Sequence, residues 1–287
     1  YFQYDPAKCI VCFRCVRVCD EGMDVKALGV GARGVESVIL PNKPGELACE
    51  ECGMCIDICP VGALTSGTYR YQTRPWEMTY VGEPCTHCSN GCKTTLSVRN
   101  NEIIRANNRD HSGINGEFLC AKGRFGFDFT TNAERIRQPL VRKGGVLQAA
   151  TWEDALEEVA RRLKQVKDTH GSESIGVIGS NHTTNEENYL LNRFARTSLG
   201  TNNIDHHRTT DYVGFVRALA GRKNHFASMA NTIAAKAILL IGSDPTEQHP
   251  LLAWNLRTNV RHNDAHIYIA NHRDIKLRRQ ATKSVQI

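Results

Sequence analysis

The twelve cysteines of this 287-residue chain all lie within its first 120 residues, and their spacing constrains the fold more than any other feature. They form three groups: Cys9, Cys12, Cys15 and Cys19; Cys49, Cys52, Cys55 and Cys59; and Cys85, Cys88, Cys92 and Cys120. Disulfide frameworks are typical of small secreted domains, whereas this chain is large and most of its cysteines are separated by only two or three residues. The pattern therefore predicts metal ligation rather than disulfides.

The first two groups share the spacing Cys-x2-Cys-x2-Cys-x3-Cys and repeat at an interval of 40 residues. The spacing resembles that of bacterial ferredoxins, in which the fourth cysteine of each run ligates the other [4Fe-4S] cluster. By this resemblance, one cluster is held by Cys9, Cys12, Cys15 and Cys59, and a second by Cys19, Cys49, Cys52 and Cys55. Pro60 completes the Cys-Pro ending after Cys59, whereas Asp20 follows Cys19. Structural zinc is the alternative, because Cys-x2-Cys pairs also bind zinc.

The third group has a different spacing, Cys-x2-Cys-x3-Cys-x27-Cys, with its last member far along the chain. A distant fourth ligand ties a cysteine loop to a later segment. We therefore expect a third [4Fe-4S] cluster in a separate small domain. Zinc is a stronger alternative here than at the first two groups.

Composition places few demands on the rest of the chain. Hydrophobic residues make up 41% and charged residues 23%, and no run of about 18 apolar residues could span a bilayer. The formal net charge of +6 is scattered, which indicates a solvated or partner-facing surface and no nucleic-acid binding. No signal peptide is visible, and the abrupt start at Tyr1 predicts a piece of a longer protein.

Beyond Cys120 the pattern changes to helices alternating with short apolar strands. Thr151 is predicted to cap a helix, and Thr184 with Glu187 forms a capping box before a second helix that Gly200 ends. Strands are predicted over residues 174–179, where the strand should be buried, and also over 237–243 and 266–271, with a helix between the last two. This alternation predicts a mostly parallel sheet with helices on both faces. Residues 79–108 instead predict a small antiparallel unit. Direct NAD binding is not expected, since beyond Cys120 no Gly-x-Gly-x-x-Gly motif follows a predicted strand.

The order of these motifs resembles two related protein families over essentially the whole chain. After the ferredoxin-like unit come the third cysteine group, the stretch KGRFGFDF, and then the segments TNEENYLL and NNIDH. One family is the large iron-sulfur subunit, the G-type subunit, of NADH:quinone oxidoreductase, respiratory complex I. The other is the catalytic subunit of NAD-linked molybdenum or tungsten formate dehydrogenases.

The resemblance implies an α+β and α/β architecture in three parts. These are a two-[4Fe-4S] ferredoxin domain at 1–74, a [4Fe-4S] domain of molybdopterin-oxidoreductase type at 75–135, and a doubly wound α/β domain of the same type, truncated, at 136–287. The second ferredoxin cluster is commonly absent from the better-known complex I subunits but present in the dehydrogenases.

The two families differ in whether they have a side chain that ligates a pterin-bound metal. The dehydrogenases bind the pterin-held metal through a cysteine or selenocysteine a few residues after an Asn-x-Asp-His segment. That segment is Asn203–His206 here, the ligand position falls at or near Asp211, and no cysteine follows Cys120. The resemblance therefore favours the complex I subunit. Asp211 could itself ligate a hard oxidised metal or simply start a helix, and structural hydrogen-bonding roles are expected for His206 and His207.

Two basic residues follow the third group. Lys122 lies two residues after Cys120, at the position where the dehydrogenases have a lysine between cluster and pterin. In this chain we expect Lys122, helped by Arg124, to offset the negative charge of the third cluster.

The resemblance implies an electron-transfer subunit with three [4Fe-4S] clusters and no substrate chemistry of its own. Electrons would pass from the flavin subunit of the complex I peripheral arm towards quinone, with the Cys9, Cys12, Cys15 and Cys59 cluster on the main path and the third off it. No molybdopterin is expected unless the formate dehydrogenase alternative holds. The expected location is cytoplasmic, bound to the membrane only through partner subunits and without direct membrane contact.

Overall fold

A computed structural model describes residues 2–45, 47–180, 182–206, 211–222 and 226–287. The chain forms two compact units, one comprising Tyr1–Asp128 with Asn224–Ile287 and the other Phe129–Lys223. All twelve cysteines belong to the first unit.

The first part of the first unit carries the repeated cysteine runs. Its elements are β1 (Phe2–Tyr4), α1 (Arg14–Arg17), β2 (Leu28–Gly31), β3 (Val38–Pro41), α2 (Met54–Ile58) and β4 (Leu64–Ser66). Strands β1 and β4 pair antiparallel, as do β2 and β3. Each short helix follows a cysteine loop and contains the third cysteine of its run, so the two halves of the sequence repeat fold alike.

The third cysteine group is carried by a three-stranded antiparallel meander of β5 (Thr79–Pro84), β6 (Lys93–Arg99) and β7 (Glu102–Asn107). A bulge interrupts the pairing of β6 with β7 between Ser97 and Val98. Helix α3 (Ala121–Phe125) follows Cys120 directly. The predicted antiparallel unit is thus confirmed.

The second unit contains β8 (Leu140–Lys143), β9 (Val146–Ala149), α4 (Trp152–His170), β10 (Val177–Gly179), α5 (Asn185–Phe194), β11 (Ile204–His206) and α6 (Tyr212–Leu219). Both predicted helix starts are confirmed: the Thr151 hydroxyl accepts from Asp154 N at 3.1 Å, and Thr184 with Glu187 forms the capping box. A π-helical turn, Ala195–Leu199, extends α5 to Gly200.

The strand predicted over residues 174–179 is shorter than expected and is not buried. It spans only Val177–Gly179, pairs in parallel with β11, and leaves Ile178 78% exposed. Helix α5 packs on the other side, where Asn188 donates to Ser180 O at 2.9 Å. A two-stranded pair covered on one side cannot bury alternate side chains on both faces.

The C-terminal part returns to the first unit as α7 (Met229–Ala234), β12 (Ala237–Ile241), α8 (Pro245–Gln248), α9 (Pro250–Asn263), β13 (His266–Asn271) and β14 (Lys283–Gln286). The three strands form a parallel sheet in the order β12-β13-β14. Parallel pairing is therefore confirmed, and in the described chain it occurs as two separate sheets. The core beneath α9 includes Leu256, Ile267 and Leu277, each at most 1% exposed. Within the described ranges, no helix is both long and apolar enough to cross a bilayer.

Candidate iron-sulfur centres

The four cysteines expected to hold the first cluster converge from both halves of the repeat. Cys9 and Cys12 lie in the loop before α1, Cys15 lies in α1, and Cys59 ends α2. Cys15 is 8% exposed and packs with Ile39, Cys9 and Cys59 in one apolar cluster. Burial raises the pKa of the Cys15 thiol, and the nearby Cys12 and Cys59 raise it further. Cys9, Cys15 and Cys59 thus lie in one cluster, which also includes Cys55, and Cys12 lies near Cys15.

The second set surrounds one cavity. Cys19, Cys49, Cys52 and Cys55 all line it, together with apolar side chains such as Val18, Val25 and Met54. Burial raises the pKa of Cys52 to about 12 and that of Cys55 further still, although both residues remain partly exposed. Four thiols around an apolar cavity are of the kind that a cubane cluster requires as ligands.

The two ferredoxin-like halves share a backbone geometry that the sequence did not reveal. Val11 and Glu51, at equivalent positions, have φ of 53° and 54°, and Phe13 and Gly53 have φ of 60° and 69°. These left-handed residues turn the loop so that amide groups face sulfur: Val11 N donates to Cys9 Sγ at 3.4 Å and Glu51 N to Cys49 Sγ at 3.1 Å. Such bonds stabilise thiolate and raise cluster potentials.

The third set also lines a single cavity, formed by Cys85, Cys88, Cys92 and Cys120 with Leu119 and Leu251 among its neighbours. Burial raises the pKa of Cys92 to about 12, opposed by a hydrogen bond from Asn90 Nδ2 to the sulfur at 3.1 Å. Cys85 N donates to Cys92 O at 2.7 Å and closes the loop. Cys92 and Cys120 are 28 residues apart in the sequence. In the structure they nevertheless line the same cavity as Cys85 and Cys88.

The side chain of Asn115 holds the distant cysteine of this set in place. It is 2% exposed, accepts from Lys93 N at 2.8 Å, and donates to Lys93 O at 3.0 Å and Phe118 O at 2.8 Å. It therefore links the residue after Cys92 to the segment that leads to Cys120.

Lys122 and Arg124 occupy different surroundings. Lys122 lines the third cavity and its Nζ donates to Glu247 O at 3.2 Å. The guanidinium of Arg124 is 4% exposed and lies on the loop of the second set, where Nε donates to Cys52 O at 2.6 Å. Arg124 thus connects α3, the helix that follows the third cysteine set, to the loop of the second cysteine set.

The segment expected to contain a pterin-metal ligand lies in the second unit. Asp211 caps α6, its carboxylate accepting from Gly214 N at 2.8 Å, which matches the helix-start alternative. His206 ends β11 and its ring lies 6.4 Å from that of Tyr212 in an edge-on arrangement. His207 lies outside the described residues.

Residues far downstream complete the surroundings of the second set. Trp254 Nε1 donates to Gly22 O at 2.9 Å, and Arg261 donates to Glu21 O at 2.6 Å. Arg279 donates to Val25 O at 3.1 Å, and Arg257 pairs with Glu50. No local pattern predicts such contacts, since more than 200 residues separate the partners.

Comparison with protein-family models gives three matches in chain order. Residues 2–65 match the ferredoxin-like domain of NADH-quinone oxidoreductase subunit 3, and residues 78–132 match the molybdopterin oxidoreductase Fe4S4 domain. Residues 135–285, more than half the chain, match molybdopterin oxidoreductase. These descriptions support iron-sulfur clusters at the cysteine sets described above.

Curated relatives include complex I subunits and related oxidoreductases. The second G-type NADH-quinone oxidoreductase subunit of Rhizobium meliloti is 32% identical over 94% of this chain and 31% of its own. The NADPH-Fe(3+) oxidoreductase subunit alpha of Geobacter sulfurreducens is 32% identical over 99% of this chain and 33% of its own. A putative formate dehydrogenase of Staphylococcus aureus is 27% identical over 90% and 31%. The chain thus spans about a third of the length of these relatives.

A solved structure supports the fold. Acetylene hydratase from Pelobacter acetylenicus matches 71% of this chain and 29% of its own with a TM-score of 0.55, at 19% identity. Identity this low shows the fold alone. The resemblance to the large iron-sulfur subunit of complex I and its molybdopterin-enzyme relatives is confirmed by these matches, and the chain belongs to the molybdopterin oxidoreductase family.

Proposed function

We propose that this chain is the electron-transfer part of an iron-sulfur subunit of NADH:quinone oxidoreductase, carrying three [4Fe-4S] clusters. The observation that carries the proposal is the grouping of the cysteines within one unit: the second and third sets each line one cavity, and Cys9, Cys15 and Cys59 share one apolar cluster. No cysteine remains beyond Cys120 to ligate a pterin-bound metal. Bound clusters supply one-electron transfer, and in this proposal no residue of the chain performs substrate chemistry.

The residues of the chain have four tasks in this function. The cysteines hold the clusters at fixed separations, while apolar neighbours such as Met54 and Leu119 exclude water. Backbone amides, such as Glu51 N towards Cys49, donate to sulfur. Lys122 beside the third set offsets its charge. Burial, charge and hydrogen bonds to sulfur are the means by which a protein sets cluster potential.

The proposed partners are a flavin-bearing subunit that supplies electrons and a quinone-reducing partner that receives them. The chain would lie in the peripheral arm on the cytoplasmic side, reaching the membrane through those partners. One relative is named for quinone and another for Fe(3+), so the electron acceptor of this chain has to be tested. The native complex should reduce a quinone analogue with NADH, and reduction of ferric chelates alone contradicts the proposed acceptor.

Iron and acid-labile sulfide analysis of anaerobically prepared protein tests the cluster count. Three cubanes require about twelve irons and about twelve sulfides per chain. Two matched variants test the ligand sets: Cys59→Ser should remove the spectroscopic signal of the first cluster, and Cys19→Ser that of the second. Stoichiometric zinc, or loss of the same signal in both variants, contradicts the assignment.

A molybdenum or tungsten formate dehydrogenase subunit is the second candidate function. It is supported by the two complete ferredoxin-type sets and by the formate dehydrogenase-like relative. Metal and pterin analysis of the native protein separates the two functions. Molybdenum or tungsten bound with Asp211 as a ligand would overturn the complex I proposal.

A further inference from the structure

Two buried ion pairs flank the second cysteine set. Asp57, two residues after Cys55, pairs with Arg124, whose Nη1 lies 2.5 Å from Oδ2. Glu50, directly after Cys49, pairs with Arg257, whose Nη1 lies 2.9 Å from Oε2. The arginine side chains are 4% and 3% exposed, and the carboxylates 16% and 9%. Both arginines come from outside the ferredoxin-like part of the chain.

Arg124 contacts the cysteine loop itself. Its Nε donates to Cys52 O, and its Nη2 lies 3.0 Å from Met54 Sδ. This approach needs the missing side chain of Gly53, because a Cβ there would lie 2.3 Å from Arg124 Cδ. The positive charge is therefore held against the peptide of a cluster ligand.

The first half of the repeat lacks these features at the equivalent positions. The counterpart of Glu50 is Ile10, which is 61% exposed, and the counterpart of Asp57 is Arg17, whose side chain is 69% exposed in a surface pair with Glu21. Solvent screens such surface charges, whereas buried charges act at low dielectric. The two ferredoxin-like clusters are thus placed in different electrostatic surroundings.

Stability alone does not account for the pairs. A buried ion pair adds little net stability compared with well-packed apolar side chains, because both charges must be removed from water. Reduction adds a negative charge to a cluster, so a nearby cation raises its potential and a nearby carboxylate lowers it. Two such pairs beside one cysteine set therefore favour an electrostatic role.

We propose that Arg124 with Asp57, and Arg257 with Glu50, are positioning residues that set the reduction potential of the cluster held by Cys19, Cys49, Cys52 and Cys55. The inference rests on the proposed function, since it requires that cluster. Within each pair the arginine raises the potential and the carboxylate lowers it. The later parts of the chain thereby tune a ferredoxin-type cluster to which they contribute no ligand.

Potentiometric titration followed by electron paramagnetic resonance tests the proposal in the whole chain. Arg124→Gln should lower the midpoint potential of the second cluster, and Asp57→Asn should raise it, each by more than it shifts the potential of either other cluster. Arg257→Gln and Glu50→Gln should give the same opposed signs. Arg124→Lys, which keeps the charge, should leave the midpoint potential close to that of the unmodified protein. Arg17→Gln, the exposed control, should shift neither ferredoxin-like cluster.

Opposed signs distinguish charge from packing. Shifts in the same direction within a pair, no shift, or selective loss of the second cluster in every variant would show that the pairs only support the loop, and would overturn the inference. Failure of the proposed cluster assignment looks different, because the unmodified protein would then lack the second cluster's signal and its share of the iron.

Discussion

The indole Nε1 of Trp254 donates a hydrogen bond of 2.9 Å to the backbone carbonyl of Gly22, across 232 residues of sequence. Gly22 belongs to the segment that follows Cys19, and Trp254 lies on α9, the helix that packs against the parallel sheet. The ring of Trp254 also contacts that of Phe118, with centroids 4.4 Å apart. One side chain therefore joins the C-terminal part of the unit to a cluster-ligand segment.

We expect Trp254→Phe to weaken this connection. The aromatic contact with Phe118 can persist, but Gly22 O loses its donor, which costs about 1–2 kcal/mol in unfolding free energy. Chemical denaturation measures the loss. Trp152→Phe is the control, because Trp152 is 71% exposed, and it should change stability little. An equal loss in both variants would contradict the role of the indole hydrogen bond.

Gly53→Ala should be more harmful than the same change at Gly34. Both glycines have positive φ, 69° and 59°, so the backbone strain of an L-residue is common to both variants. Only at Gly53 does the added Cβ meet Arg124 and Phe125, at 2.3 and 2.8 Å, whereas nothing lies within 4 Å at Gly34. We expect Gly53→Ala to lose about 1–3 kcal/mol more, the cost of overpacking.

Comparative denaturation of the two glycine variants measures this difference, and iron content reports on the second cluster. Gly53→Ala should retain less iron than Gly34→Ala because the Cys52 loop must shift. Equal stability and iron content would show that Arg124 moves away without cost.

Local features of this chain could be predicted from the sequence. The caps at Thr151 and Thr184 follow from residue types at fixed offsets, whereas the crossed cysteine sets are what the resemblance to ferredoxins implies. The pairing of β6 with β7 follows from alternation over a short turn. The caps and this strand pairing depend on residues close together in the sequence, where pattern and geometry are directly linked.

The surroundings of the clusters could not be predicted in this way. The side chain of Arg124 follows the third cysteine set in the sequence, but it contacts the loop at Cys52, 72 residues earlier. In the sequence, Arg257 and Trp254 show only that α9 contains polar and aromatic residues. They do not show which segment these side chains contact. Such contacts depend on how separate parts of a unit pack, and that is not encoded in any local periodicity.

Asn115→Ala should disrupt the third site. The amide side chain serves three backbone groups, at Lys93 N, Lys93 O and Phe118 O, and they would be left without these partners in a buried place. The expected cost is about 2–4 kcal/mol, and the third cluster should be lost first. Gln165→Ala, an exposed change on α4, is the control. Retention of the third cluster's signal with unchanged stability would contradict this role.

Thr151→Ala should weaken the start of α4 in the second unit without affecting the clusters. The hydroxyl satisfies Asp154 N, and removing an N-cap oxygen costs about 1 kcal/mol. Amide hydrogen exchange should show faster exchange at Asp154, while Thr151→Ser, which keeps the oxygen, should match the unmodified protein. Iron content should be the same in all three proteins, because every cysteine lies in the first unit. Loss of iron in Thr151→Ala would show that the first unit depends on the helix start at Thr151.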